Sequence, residues 1–242
     1  MTQSYRRPPI VEAVVEFRLQ TQLPRNDLEK IRDRLDYPFV DEENHIQFRI
    51  GQSEADFSIK GSFNGFKLNS KDLADLVFVR SNSLAVSRLA PYEGWDSFKE
   101  NALKCWSVWH QVIGHQKLAR LGVRYVNRLD IPIDGTGSIH EEEYLHVSPR
   151  APLELIPKMN SYAMQLTAPL SSDDCNLNLN SGTVISPLVN HVALSLDIDI
   201  SREKNLPGQE NELWDLLEKM RGHKNRIFEG VITDKSRELF SK

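Results

Sequence analysis

Three arginines, Arg120, Arg124 and Arg128, recur at intervals of four in the stretch Lys117 to Ile133, KLARLGVRYVNRLDIPI. Successive side chains of a strand alternate between its faces, so these three share one. A row of guanidinium groups on one face has the fork geometry to grip phosphate or carboxylate in bidentate fashion. The same parity puts Glu12 and Glu16 together on one face of Val11 to Gln20, where they are candidates to neutralise the row. Opposite charges across a ladder are favourable by about 0.2–1 kcal/mol per pair. Two readings follow: an anion-binding stripe, or a solvated ladder of ion pairs joining two strands. A charged row on a sheet is ordinarily a wet face, which favours the second.

Asn127 breaks the pattern, because it falls between Tyr125 and Leu129 on the otherwise apolar face. A buried amide needs partners, so it satisfies local backbone or opens into a pocket. Arg120, Arg124, Asn127, Arg128, Glu12 and Glu16 are therefore the candidate ligand-binding residues, and no catalytic residue is assigned. His140 and His146 flank Glu141, Glu142 and Glu143, but the spacing fits no zinc pattern and consecutive glutamates diverge, so no metal is expected. His110 and His115, five residues apart, share no helix face. Neither Cys105 nor Cys175 has a histidine at motif spacing, and both read as structural. Asn176, Asn178 and Asn180 line one strand face beside a Ser181-Gly182 turn, as ligand donors or as a solvated edge. There is no P-loop, no GxGxxG after a strand, no GxSxG and no HExxH, and no cofactor is implied.

The elements that would position these residues follow from hydrophobic period. Val11, Ala13, Val15, Phe17 and Leu19 alternate with polar residues and predict a first strand. Pro24 ends it, and Asn26 would cap a short helix carrying Leu28, Ile31 and Leu35. Short alternating segments follow at 45–50, 55–63, 66–69, 73–80 and 84–89, with Asn64-Gly65 predicting a type I′ hairpin turn. Trp95, Phe98, Ala102, Trp106, Trp109 and Ile113 then recur at helical spacing, an aromatic stripe that reads as core. The order begins again at the arginine strand. A Gly135/Gly137 turn, a possible short helix in HEEEYLHV, and strands at 162–170, 175–185 and 189–200 come next. A long helix from Glu210 to Ile232 follows, and Thr233 caps a last one.

Each half thus reads as strand, helix, antiparallel strands, long helix. The long helices superpose with Trp95 on Trp214, Phe98 on Leu217, Trp109 on Phe228 and Ile113 on Ile232, as an internal duplication would give. The expected fold is α+β: two pseudo-repeats, residues 1–115 and 116–242, in one integrated unit with helices packed on one face of an antiparallel sheet. In two-repeat folds that resemble the saddle of the TATA-box-binding protein, the first strands of the repeats pair. That resemblance is of element order and carries no DNA-binding function.

At 242 residues, 40% hydrophobic and 26% charged, the chain has the make-up of a soluble globular protein. A net charge of -4 and a pI near 6.0 provide no basic field for a polyanion, which disfavours nucleic acid as a partner. Two cysteines suit a reducing compartment. The N-terminus lacks a continuous apolar region, and no apolar run spans a bilayer, so the expected setting is the cytoplasm without membrane contact.

Three short stretches carry a family resemblance: Tyr5 with Pro8-Pro9-Ile10-Val11-Glu12-Ala13-Val14, Arg124-Tyr125-Val126-Asn127-Arg128, and Phe228-Glu229-Gly230-Val231-Ile232-Thr233. Together they resemble a sporadically distributed, functionally uncharacterised bacterial family of about this length whose members begin Pro-Pro-Ile-x-Glu-Ala. Its scattered occurrence implies a role in defence or mobile elements, and it supplies no catalytic residues. The reading that results is a non-catalytic binding or regulatory protein that recognises a protein or a small anionic ligand. A homodimer is possible. The alternative is an enzyme or nucleotide sensor that holds phosphate with Arg120, Arg124 and Arg128.

Overall fold

The computed structural model describes residues 5–49, 58–133, 140–150, 152, 159–170 and 172–241. Their order is β1 (Ile10–Leu19), α1 (Arg25–Arg34), β2 (Phe39–Arg49), β3 (Ser58–Asn69), β4 (Asp75–Arg80), β5 (Ser83–Leu89), α2 (Trp95–Ile113), β6 (Leu118–Pro132), β7 (Ala163–Leu170), β8 (Cys175–Val184), β9 (His191–Arg202), α3 (Glu210–Val231) and α4 (Asp234–Ser241). The fold is α+β. Nine strands form one antiparallel sheet in the order β2-β3-β4-β5-β1-β6-β9-β8-β7. β1 and β6, which open the two halves of the sequence, are neighbours at its middle. Among the described residues no helix is long and apolar enough to cross a membrane.

The chain divides into two compact units. One comprises Val15–Arg88 and Glu93–Ala119, and the other Met1–Val14, Leu89–Tyr92 and Arg120–Lys242. In the first, Val15, Phe17 and Leu19 of β1 are buried, and the Phe17 ring packs 4.4 Å from that of Trp106 on α2. Trp109 packs against Trp106 with ring centres 5.3 Å apart and planes tilted by 49°, and both are buried, so the aromatic stripe is core. In the second, Leu121, Val123, Tyr125, Leu129 and Ile131 of β6 lie with Leu194, Leu196, Ile198 and Ile200 of β9 beneath α3. Burial at every second strand residue and every third or fourth helix residue is what the periodicity demands.

Four local expectations are corrected. Asn64-Gly65 does not turn the chain: β3 runs straight through it, and the pairing with β2 slips there, between Glu43 and Asn44. This is a bulge, and it uses glycine for space. A Cβ on Gly65 would stand 2.2 Å from the carbonyl oxygen of Val79 on β4. Ser181-Gly182 is likewise strand, paired with Met164 and Ala163, and β8 ends only at Val184. Pro24, not Asn26, precedes α1, and its carbonyl accepts from Asp27 N–H at 3.0 Å. HEEEYLHV forms a single 3₁₀ turn at Glu141–Glu143. Thr233 does cap α4, its Oγ1 accepting from Ser236 N–H at 3.3 Å. The Gly135/Gly137 turn lies outside the described residues.

Candidate functional site

The polar face of β6, β9, β8 and β7 is built by register. Thr167, Asn178, Asp199 and Arg124 stand opposite one another in a row across the four strands. Gln165, Asn180 and Asp197 make the next row. All come from alternate positions whose odd-even partners enter the core, so the amphipathic pattern of each strand places them.

The arginine row is real, and aspartates of β9 and β6 grip it. Arg124 reaches diagonally past Asp199 to form a bidentate fork with Asp197, Nε to Oδ1 at 2.9 Å and Nη2 to Oδ2 at 2.8 Å. Arg120 Nη2 donates to both oxygens of Asp199, at 2.9 and 2.6 Å. Arg128 Nε donates to Asp130 two positions along its own strand, at 3.1 and 3.2 Å. Glu12 acts on Arg124 as a further charge, and Glu16 bonds Arg18 at 2.8 Å. The hydrogen bond from Arg124 to Asp197 raises the guanidinium pKa. Burial pushes the Asp199 carboxyl up, opposed by Arg120. Gly122 makes the second pairing possible: a Cβ there would lie 2.4 Å from Nη1 of Arg120, which occupies that space.

Asparagines complete the lattice. Asn180 Nδ2 donates to Asp197 at 3.3 Å, and Gln165 Nε2 donates to Asn178 Oδ1 at 2.9 Å. Two shallow depressions open on this face. One, of about 400 Å³, is bordered by Arg120, Asp199, Asn176 and Asn178; the other, of about 460 Å³, by Arg124, Asp197, Asn180, Gln165 and Tyr162. Both carry donors and acceptors, and the second adds the apolar side chains of Val126, Met164 and Val184.

Asn127 is buried and takes the structural role. Its Nδ2 donates to the carbonyl of Leu196, directly opposite on β9, at 3.0 Å, and more weakly to that of Tyr125 at 3.4 Å. The first motif stretch touches the other two. Arg128 N–H donates to the carbonyl of Pro9 at 2.9 Å, and Tyr5 donates its hydroxyl to Glu229 at 2.9 Å while its ring meets Phe228 and Phe240 edge-on. Burial and Glu229 together raise the Tyr5 hydroxyl to about 12.

Two clusters escaped the sequence reading. Lys224 of α3 is 7% exposed, with its ammonium 3.9 Å from the centre of the Tyr125 ring, and the Tyr125 hydroxyl is 2.8 Å from that of Tyr92. Burial, reinforced by Arg221, holds Lys224 down to about 7, and Glu229 opposes this from a distance. The signal was present: Lys224 lies four residues from Met220 and four from Phe228, on the apolar stripe of α3. The second cluster gathers Ser172, Asp173 and His223. Arg226 can only donate, so its 2.8 Å contact makes His223 Nδ1 the acceptor and leaves the proton on Nε2. That proton goes to Asp173 Oδ2 at 2.9 Å, with Ser172 Oγ at 3.4 Å. A histidine held this way is not a base for the serine, so the trio latches the β7–β8 turn to α3 and is not a nucleophilic triad.

Of the remaining candidates, His140 meets only exposed Glu142, at 3.8 Å, and His110 stacks on Trp106. Burial raises both thiols, Cys105 and Cys175, to about 11, which leaves them inert near neutrality. Among the described residues no three His, Cys, Asp or Glu side chains gather as metal ligands. No protein-family model matches the chain, and no curated protein matches it.

Proposed function

We propose that this chain is a non-catalytic binding protein that recognises a partner protein through the polar face of β6, β9, β8 and β7. The observation that carries the reading is the charge balance of that face. Each of its guanidiniums is held by an aspartate, so the face offers a fixed alternation of donors and acceptors and not a net positive stripe. Peptide surface has that alternation, and a free phosphate does not. The family resemblance is the ground for placing the partner in a defence or mobile-element setting.

The test is affinity capture from the native host with the wild type and with two face variants away from β7, Asn176→Arg and Asn178→Arg. Loss of one defined partner from both variants, with their thermal midpoints unchanged, supports the reading. Retention of the partner by both sinks it. A thermal-shift titration with nucleotides decides the phosphate alternative: stabilisation that Arg124→Ala abolishes would replace the proposal.

A further inference from the structure

The outermost strand β7 has an open edge whose polarity can be worked out residue by residue. Tyr162 turns both backbone groups toward β8: its carbonyl accepts from Thr183 N–H at 3.0 Å and its N–H donates to Thr183 Oγ1 at 3.3 Å. The register then runs without a slip from Ala163 opposite Gly182 to Leu170 opposite Cys175. Hydrogen-bonding direction alternates along an antiparallel strand, so Met164, Leu166, Ala168 and Leu170 bond β8. Ala163, Gln165, Thr167 and Pro169 point outward. Pro169, which has no N–H, falls in the outward set, where it costs the ladder nothing. Among the described residues no backbone partner meets this outward edge.

The two edges of the sheet differ in how they are guarded. β2 carries the consecutive acids Asp41, Glu42 and Glu43, a common defence against strand addition. β7, Ala-Met-Gln-Leu-Thr-Ala-Pro-Leu, has no charged residue. Its core-side Leu166 is 40% exposed, although Leu179 directly opposite is 2% exposed. The last strand therefore overhangs the apolar layer and leaves a hydrophobic lip beside N–H and C=O groups that no described residue pairs.

We propose that β7 pairs with β7 of a second copy of this chain, antiparallel about a two-fold axis, extending the sheet across a homodimer. An uncharged strand meets its own image without like-charge repulsion, and two-fold pairing is the commonest way for identical chains to associate. Centred on Gln165, the pairing gives Ala163, Gln165 and Thr167 backbone partners. It also lays Leu166 against Met164 of the other copy on the core side. This goes beyond the reading of the polar face, which stays open in such a dimer, and either proposal can fail without the other.

The experiment is light scattering and sedimentation over a dilution series, with amide exchange read at β7. The wild type is expected at twice 27.8 kDa when concentrated, with slow exchange at Ala163, Gln165 and Thr167 that quickens on dilution. Thr167→Pro removes an outward N–H alone and should weaken association roughly tenfold or more, with circular dichroism unchanged. Should that variant misfold, Gln165→Lys replaces it: it sets like charges at the axis, and its weakened dimer should be partly rescued by salt. A monomer at every concentration overturns the proposal. So does a dimer indifferent to the variants, or protection of these amides only when a different protein is added.

Discussion

The ammonium of Lys224 sits 3.9 Å from the centre of the Tyr125 ring, and among the described residues no carboxylate reaches it. A cation over an aromatic face recovers part of its lost hydration, but not all. The folded chain therefore prefers this amine neutral, which sets a direction for stability against pH.

Lys224 binds its proton below about pH 7 in the folded chain and below its ordinary 10.5 when unfolded. Between these values the unfolded chain holds more protons, so stability rises with pH through that window, and the full penalty is present below it. Lys224→Met should stabilise the protein at pH 6 by up to roughly 5 kcal/mol, the upper bound set by the shift. The gain should shrink toward zero by about pH 10. Urea unfolding of both proteins across that range checks it, and a pH-independent difference would refute it.

The fork between Arg124 and Asp197 should appear as energetic coupling. Asp197 is buried and Arg124 half-exposed, so a double-mutant cycle to alanine is expected to give about 1 kcal/mol. The cycle between Arg124 and Glu12 should give distinctly less, because Glu12 acts on the guanidinium only as a subsidiary charge. Equal couplings would mean that Glu12 holds this guanidinium as firmly as Asp197 does, which would refute the ranking.

Asp173 and Asp174 both occupy left-handed backbone, at φ 66° and 50°, in the turn before β8. Asp173 bonds His223 at 2.9 Å and lies 3.4 Å from Lys219, whereas Asp174 is exposed and meets Arg202 only at 3.7 Å, a weak surface pair. Asp174→Gly relieves the backbone and should change stability by no more than about 0.5 kcal/mol. Asp173→Gly should cost about 1–2 kcal/mol. Its carboxyl is held below the usual range chiefly by the hydrogen bond to His223. The stabilisation from that shift is therefore present above pH 3.8 and lost as pH falls below it. Denaturation curves of the two variants at pH 7 and pH 3 test both statements.

Gly65→Ala should be among the most damaging single-methyl changes in the chain. The new Cβ meets the backbone of the neighbouring strand β4, 2.2 Å from Val79 O and 2.7 Å from the Cα of Arg80, and backbone cannot step aside as a side chain would. A loss of about 2–3 kcal/mol is expected, read as a drop in the denaturation midpoint. Alanine at Gly61, which has no neighbouring atoms within 4 Å of the added methyl, is the control.

What sequence could and could not disclose follows from range. The parity of β1, β6, β8 and β9 is local, and period two placed their core faces correctly, together with the long helices. Asn64-Gly65 was misread because a type I′ turn and a bulge draw on the same permissiveness of glycine, and only the paired strand separates them. The aspartates that grip Arg120 and Arg124 were hidden for a similar reason. Asp197 and Asp199 alternate with Ile198 and Ile200 in the sequence, an acidic stripe as visible as the basic one, but which stripe faces which is fixed by sheet order. His223 and Lys224 show that a polar residue on an apolar helix stripe merits the suspicion given to Asn127.

The central place of β1 has a kinetic consequence. It leaves the ribosome first among the strands, yet its sheet neighbours are β5 and β6, which end at Leu89 and Pro132. Until β6 has been synthesised, this apolar strand lacks its native partner on that side. Such long-range closure slows folding and prolongs the exposure of Val15, Phe17 and Leu19, so refolding yield should fall steeply with protein concentration.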